Sequence, residues 1–506
     1  MNTKAAVFLD VRRNVGQVDR RVFGGFLEHL GRAVYDGIYD PGNPLSDESG
    51  FRLDVIEALK HMRMPLVRYP GGSFVSNYDW RDGMGPKEQR PRRPDFAWKT
   101  VESNQFGVDE FIAWCRKVDT APFMVVNLGT LRAQDAAELV EYCNLPEGTF
   151  WADRRAADGH PKPHAVPLWG LGNEMDGFWQ AGHVPAEVYA LRARQAAQLM
   201  KGLDPGIELV ASGSTVPFTP MPTYMEWDRI VLEQCWDQVD YISTHHYTGD
   251  HAGDTRRSLA EGVALDGILE DYAALLRYVR AVKKSSKSVY VAFDEWNVWY
   301  RTVGQERAWG RNTTSLFEES YDLKDALVVA QYLSSFIRHA DTVKIACLSE
   351  IVNAISPVLT RPDRVLLQTT YFPFVLFSSH ARGLSLVPIV DAPLYEAGDM
   401  GNVPLVDCAA TCAEEEKRGA VFLVNRDLER GFMVEVNWNG PPIAEIIVVS
   451  VLSGYDPCAA NTWESPDAVQ PMPGAARVVD NTRILVEAPA MSLTVVEFSV
   501  RSRSGD

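Results

Sequence analysis

Eight short runs of β-branched, aromatic and small apolar residues recur between Arg21 and Asn353, separated by longer segments with apolar residues every three or four positions. They are RVFGGFLEH (21–29), PLVRYPGG (65–72), APFMVVNLG (121–129), PLWGLGNE (167–174), IELVASGS (207–214), DYISTHHY (240–247), SVYVAFDEW (288–296) and VKIACLSEIVN (343–353). Successive strands joined by long crossovers pair in parallel, and eight strand–helix units predict a closed (β/α)8 barrel. GFRLDVIEALKHMR, PAEVYALRARQAAQLMKGL and LEDYAALLRYVRAVKK carry the helical period. The segment from Ser73 to Gln105, rich in Arg, Pro, Asp and Gly, reads as an insertion over the active face.

Beyond about Ser378 the helical period stops, and GLSLVPIV, GAVFLVNR, GFMVEVNW, AEIIVVSVL, TRILVEA and SLTVVEFSV follow. These predict a C-terminal all-β sandwich, jelly-roll-like in class. KAAVFLDV, ahead of the barrel, alternates like a strand and is expected to join it. The expected division is a barrel over 18–377 and a sandwich made of 1–17 plus 378–506.

Charge narrows the partners. The formal net charge of -17, from 50 basic and 67 acidic residues, is spread without a basic block, so no nucleic acid partner is expected. The opening MNTKAAVFLDVRRNVGQVDRR is too charged for a secretion signal, and no apolar run is long enough for a membrane span. A cytoplasmic protein with no membrane partner is the expectation. The seven cysteines are scattered without metal-ligand spacing and read as reduced thiols, Cys408 and Cys412 as structural.

In a (β/α)8 barrel the chemistry lies at the C-terminal ends of the strands. Those ends here carry Glu28-His29, Arg68, Gly71-Gly72-Ser73, Asn127, Asn173-Glu174, Ser212, His245-His246-Tyr247, Asp294-Glu295 and Glu350 with Asn353. One such glutamate is ordinarily a cap or an ion-pair partner. Glu174 and Glu295, ending the fourth and seventh runs, would face each other across the mouth, as the carboxyl pair of a glycoside hydrolase must. Asp294 competes with Glu295, but alternation along a strand favours Glu295 for the mouth.

The segments FGGFLEHLGRAVYDGIYD, VRYPGGSFVSNYDWRDGMGP, WKTVESNQFGVDEF, GLGNEMDG, STHHY, FDEWNVWY and EIVNAISPVLTR together resemble glycoside hydrolase family 51, the retaining α-L-arabinofuranosidases. The likeness spans Phe23 to about Arg361. It implies a carbohydrate substrate and a double displacement with Glu174 as acid/base and Glu295 as nucleophile. It further implies Arg68 and Tyr247 as donors to Glu295, Asn173 as holder of the sugar 2-hydroxyl, and Glu28 as a sugar-binding carboxylate. Trp98, Trp179 and Trp299 are candidate platforms, His245 a residue that orients the others, and Asn297 reads as a loop residue. No metal or other cofactor is required, and a homo-oligomer, hexamer or trimer, is implied. Burial beside Leu168, Trp169, Trp179 and an anionic Glu295 is expected to keep Glu174 protonated, while Glu295 is expected to stay ionised with the donors Arg68 and Tyr247 that the resemblance implies.

Ser73 and Glu350 depart from the family pattern, which commonly has Asn and Gln there. Both belong to the sugar pocket, and a wider, more acidic pocket raises β-D-galactofuranoside as an alternative substrate. An endo-acting glucanase or xylanase would share the glutamate pair but need an open cleft. A non-catalytic carbohydrate-binding protein would be expected to lack one of the two glutamates, and both are present.

Overall fold

The computed structural model describes residues 3–215, 223–305, 309, 315–454 and 456–501. Eight parallel strands close a barrel in chain order: β1 (Gly24–Phe26), β2 (Leu66–Tyr69), β3 (Ala121–Val126), β4 (Leu168–Leu171), β5 (Glu208–Ala211), β6 (Tyr241–Thr248), β7 (Tyr290–Val298) and β8 (Val343–Leu348). All eight predicted runs contribute a strand. The first run is shorter than expected, because Asp19 accepts the Arg21 N–H and caps a 3-10 turn over Arg20–Phe23.

Alternation decides which side chains enter the barrel. Leu66, Phe123, Val125, Leu168, Val210, Ala292 and Ile345 fill its interior, whereas Val67, Met124, Trp169, Leu209 and Phe293 pack outward against the helices. Arg68, two residues beyond Leu66, must therefore point inward. The helix predicted around LDVIEALKHM forms over Leu53–Met62, that of PAEVYALRARQ over Ala186–Leu203, and that of LEDYAALLRYV within Glu261–Lys283. The insertion after β2 folds as 3-10 turns and a short hairpin, Arg93–Asp95 with Thr100–Glu102, whose connection carries Trp98.

Asn297 is not a loop residue, contrary to its reading from the sequence. β7 continues through Val298, and the buried Asn297 amide donates to the carbonyls of Ser349 and Ile355, each at 2.5 Å. It ties the end of β7 to the loop after β8.

The C-terminal region is two sheets packed face to face. The five-stranded sheet runs Ile389–Asp391, Thr3–Asp10, Phe432–Asn439, Arg483–Ala488, Ala476–Asp480. The seven-stranded sheet includes Asn14–Gln17, Leu384–Leu386, Val406–Ala413, Arg418–Asn425, Ser492–Val500 and Ile443–Ser453. Strand Thr3–Asp10 pairs in parallel with Phe432–Asn439, so the chain's first strand sits in the C-terminal sheet. Val7, Val434, Val436, Leu423, Val496 and Phe498 fill the space between the sheets.

The outer face of the larger sheet, with Phe422, Val424, Leu493 and Val495, packs on the barrel side, and Phe377 stacks on Phe422 at 4.2 Å. Burial on both faces is why AVFLV and LTVV read as unbroken apolar runs. Val406–Ala413, VDCAATCA, carries no strong strand signal and is not anticipated. Its small residues fit where layers press from both sides, and Cys408 and Cys412 are buried free thiols on it.

Helix Leu323–Arg338 lies between barrel and sandwich, and Arg338 closes the contact. Its guanidinium donates to Asp407 Oδ1 (3.1 Å), the Cys408 carbonyl (3.1 Å) and Asp266 Oδ2 (2.8 Å). Removing it leaves Asp407 with only Arg426 (3.5 Å) and Asp266 with only His339 (3.2 Å) as ion-pair partners among the described residues of a largely buried junction, a change that costs about 3 kcal/mol. Arg338→Ala is expected to lower the denaturation free energy by that amount, with one coincident unfolding transition by near- and far-UV circular dichroism. A loss below about 1 kcal/mol, the range of surface pairs, would show that this contact does not hold the two parts together.

Candidate active site

At the C-terminal mouth of the barrel a cavity of about 350 Å³ is lined by Glu28, Ser73, Trp98, Glu174, Tyr247, Glu295 and Glu350, with Trp179, Trp299 and Phe317 among its walls. Arg68, Asn173 and His245 lie buried just beneath. The sequence-nominated residues therefore converge on one place. A cleft of similar volume on the sandwich, about 370 Å³, is lined by Phe8, Arg13, Trp438 and Arg483 and has no facing carboxylate pair.

Arg68 organises the floor. Its Nη1 donates to Glu295 Oε1 at 2.7 Å, its Nη2 to Asn173 Oδ1 at 2.6 Å, and its Nε lies 2.9 Å from Asp294 Oδ2. Tyr247 Oη donates to the other Glu295 oxygen at 2.8 Å, with Ser349 Oγ 2.7 Å from the same hydroxyl.

Asp294 and Glu295 do not point to opposite faces as strict alternation requires. Ser243 and His245 on β6 pair with Ala292 and Glu295 on β7, so two steps on one strand meet three on the other. This bulge turns both acidic residues inward. Asp294 accepts from Ser243 Oγ and lies 3.3 Å from His245 Nε2, which makes it a support for Arg68 and His245 beneath the cavity.

The fourth strand stops at Leu171, and Gly172 (φ 84) and Glu174 (φ 44) turn the chain through the left-handed region. Such a backbone is costly for a glutamate and recurs at functional positions. It sets the Glu174 carboxyl on the cavity, 12% exposed. There Oε2 accepts from Trp179 Nε1 (2.7 Å) and Gln180 Nε2 (3.2 Å), while Oε1 lies 3.0 Å from His245 Nδ1. His245 Nδ1 is also 3.4 Å from Glu295 Oε2, so one imidazole spans both glutamates.

The proton balance differs from the expectation. Burial alone would raise the Glu174 pKa, but the hydrogen bond and charge of His245, then Trp179 and Gln180, bring it below the ordinary glutamate value. Burial raises that of Glu295, with His245 and Arg68 opposing and Glu174 and Asp294 adding to it. Burial would lower His245, yet the charge of Glu295 and the bonds to Asp294 and Glu174 carry it to about 10. Counting apolar neighbours missed three N–H donors aimed at Glu174. These directions favour the shared proton on His245.

Glu28 forms no ion pair with His29 or Arg32, the bland alternative for it. His29 Nδ1 meets Glu102 at 2.9 Å and Arg32 pairs with Glu318 at 2.7 Å. Glu28 Oε1 instead accepts from the Phe74 N–H (2.7 Å) and Trp98 Nε1 (3.0 Å). Gly72 permits this: a Cβ there would fall 2.2 Å from Glu28 Oε2. Ser73 Oγ accepts from Gln180 Nε2 at 2.9 Å. Gln180, Asp294 and Ser349 were not nominated as site residues; Gln180 lies six residues past Glu174 in a loop without period, and only its proximity reveals it.

Paired carboxyls at the ends of β4 and β7 of a (β/α)8 barrel, closed over a small cavity, define a glycoside hydrolase. A family model described as the α-L-arabinofuranosidase 1 domain matches residues 58–259, and one described as the α-L-arabinofuranosidase C-terminal domain matches 294–492, beginning inside β7. The chain is 44% identical to an intracellular exo-α-(1→5)-L-arabinofuranosidase of Acetivibrio thermocellus, over 90% of this chain and 91% of the relative. It is 41% identical to one of Bacillus subtilis, over 94% and 96%. Among solved structures, a family 51 α-L-arabinofuranosidase from Bifidobacterium longum superposes with a TM-score of 0.93 at 35% identity, covering 98% of this chain and 100% of that one. The chain belongs to glycoside hydrolase family 51, the α-L-arabinofuranosidases.

His245 gives a signed pH dependence. Its folded pKa of about 10 exceeds the ordinary 6.5, so its contribution to stability is complete below 6.5 and is lost as pH rises through about 10. The Tm gap between the native protein and His245→Gln should shrink across that window; a constant gap would assign His245 a neutral packing role. The donor atoms of Glu174, His245 and Glu295 lie within 4.8 Å of one another, a spacing compatible with a cation. A protonated imidazole has no lone pair to offer a metal. Exhaustive chelation is expected to leave turnover unchanged, and loss restored by a divalent ion would reverse that reading.

Proposed function

We propose that this enzyme is a retaining exo-α-L-arabinofuranosidase in which Glu295 is the nucleophile and Glu174 the acid/base. The carrying observation is the closeness of the two carboxyls. Their donor oxygens lie within 4.8 Å, which suits direct attack, whereas inverting enzymes separate the groups by about 6.5–9.5 Å to admit a water. The cavity of about 350 Å³, roofed by the Trp98 hairpin, suits one terminal sugar in place of an extended chain.

A balanced route follows from the hydrogen bonds. A Glu295 oxygen attacks the anomeric carbon as the glycosidic C–O bond breaks, and the leaving oxygen takes a proton from Glu174. That proton reaches Glu174 from His245 Nδ1–H, 3.0 Å away, so Glu174 only passes it on and ends the step ionised, ready to act as base. Ester formation consumes the Glu295 charge, the chief influence holding that proton on His245, so His245 gives it up when the leaving group needs it. In the second step Glu174 removes a proton from water, water oxygen attacks the anomeric carbon, the ester to Glu295 breaks, and the proton returns to His245. Arg68 and Tyr247 hold Glu295 in place for attack and stabilise it as it departs. Asn173, fixed by Arg68, presents its amide to the sugar 2-hydroxyl.

The relatives at 44% and 41% identity are named as intracellular enzymes acting on α-(1→5) linkages. By that kinship we assign this enzyme to the cell interior and to α-(1→5)-linked arabino-oligosaccharides. Homo-oligomerisation is proposed as well. Phe8 and Ile389, cross-strand partners at the edge of the five-stranded sheet, are 46% and 48% exposed and offer an apolar patch for it.

Glu295→Ala should lose activity on every substrate by about 10⁴-fold or more. Glu174→Ala should retain turnover of nitrophenyl arabinofuranoside and be accelerated by azide, while arabino-oligosaccharides fail. His245→Gln should follow the Glu174 pattern in milder form. Equal losses on both substrate types in Glu174→Ala would move the acid elsewhere, and preferential release of galactofuranose from a nitrophenyl furanoside panel would overturn the substrate assignment in favour of the wider-pocket alternative.

A further inference from the structure

Glu350, just beyond β8, is fully buried among the described residues and lines the same cavity. Its Oε2 accepts the Glu28 backbone N–H at 2.8 Å, and its Oε1 has no hydrogen-bond partner among the described residues. A buried, unpartnered oxygen is costly, and far more so if it carries charge. The nearest cation does not relieve it, because all three guanidinium nitrogens of Arg68 are turned to Glu295, Asn173 and Asp294. The charged and titratable groups around Glu350 are Glu28 beyond β1, Arg68 on β2 and Glu295 on β7, with Tyr247 of β6 reaching it through Ser349. Two of these are carboxyls, and both disfavour a third charge.

Glu28 and Glu350 are not equivalent. Glu28 Oε1 receives two N–H donors, a pattern that stabilises a carboxylate. Glu350 receives one, on the other oxygen. We propose that Glu350 is a neutral carboxylic acid whose Oε1–H donates a hydrogen bond to a hydroxyl of the bound furanose, which in turn donates to the Glu28 carboxylate. The pair then reads one group from both sides, requiring a hydroxyl that accepts and donates at once. Glu350 is thereby a specificity-determining residue through its protonation state. Titration agrees in direction: burial, then the charge of Glu28, drives Glu350 well above the ordinary glutamate range, while burial lifts Glu28 to about 8, so Glu350 is the one of the two that keeps its proton.

This assignment rests on the arabinofuranosidase reading, and two readouts separate them. The first is infrared: the native enzyme at pH 7 should show the C=O stretch of a buried carboxylic acid that Glu350→Gln lacks, and arabinose should move that band to lower frequency as its proton finds an acceptor. The second is kinetic. Glu350→Gln keeps a donor that cannot ionise, so its kcat/KM at pH 9 relative to pH 6 should exceed the native ratio by about fivefold or more, the limb due to Glu174 and His245 cancelling between the two enzymes. Absence of the band overturns the proposal. So does a band that arabinose leaves unmoved, or an unchanged pH ratio. Should the Gln variant fail to fold, the arabinose-induced shift in the native enzyme decides alone. An enzyme that shows the band but releases no arabinose from any arabinofuranoside would sink the functional reading, and with it the sugar contact, while leaving Glu350 protonated.

Discussion

The site depends on one buried cation. Arg68 stands inside the barrel with its guanidinium turned to Glu295, Asp294 and Asn173, so it joins the ends of β2, β4 and β7 through a single planar group. A buried guanidinium is expensive to desolvate, and only several charged or polar partners with good geometry offset that cost. Here the partners are the residues that chemistry needs. Holding Arg68 in the fold and holding the Glu295 carboxyl in place at the cavity are therefore the same requirement.

Charge counting carries the argument outward from Arg68. Among the described residues, Glu28, Glu174, Asp294, Glu295 and Glu350 share the region with two cations, Arg68 and His245. Five carboxylates beside two positive charges in a water-poor space cannot all stay ionised. Hydrogen-bond donors then decide where the protons sit. Glu174, facing His245, Trp179 and Gln180, is more readily ionised than Glu295, and Glu350, with one donor, is the least served of the five. In the proposed route the proton needed for leaving-group departure is stored on the imidazole that touches both glutamates, and it becomes available as Glu295 is neutralised.

The sandwich contributes rigidity at a distance. Its seven-stranded sheet is buried on both faces, against the smaller sheet on one side and against barrel helices on the other, and Arg338 of helix Leu323–Arg338 pins the junction. That helix follows β7 in the chain and packs on it through Phe336 and Phe293, 5.2 Å apart. The bulge that turns Asp294 and Glu295 inward lies next to Phe293, so packing from the sandwich side backs the strand that presents Glu295, the proposed nucleophile.

Periodicity and strand-end chemistry were enough to read the barrel, its eight strands and the pairing of Glu174 with Glu295, because alternation and the helical repeat are local rules that burial enforces along a strand or helix, whereas the place of Arg68 beside Glu295 came from the family resemblance. Strand Val406–Ala413 escaped because its small residues answer to layers pressing from elsewhere in the chain. The inward turn of both Asp294 and Glu295 escaped because a bulge is a mismatch between two strands, visible in neither alone. Asn297 and Gln180 act on groups 52 and 6 residues away, and nothing beside them in the chain announces those partners. The protonation of Glu174, Glu295, His245 and Glu350 was decided only in three dimensions, since a pKa depends on which donors and charges lie within a few ångströms. The sequence by itself determined which groups stand at the mouth of the barrel; the tertiary structure decided which of them hold the protons, because that is set by distances between strands far apart in the chain.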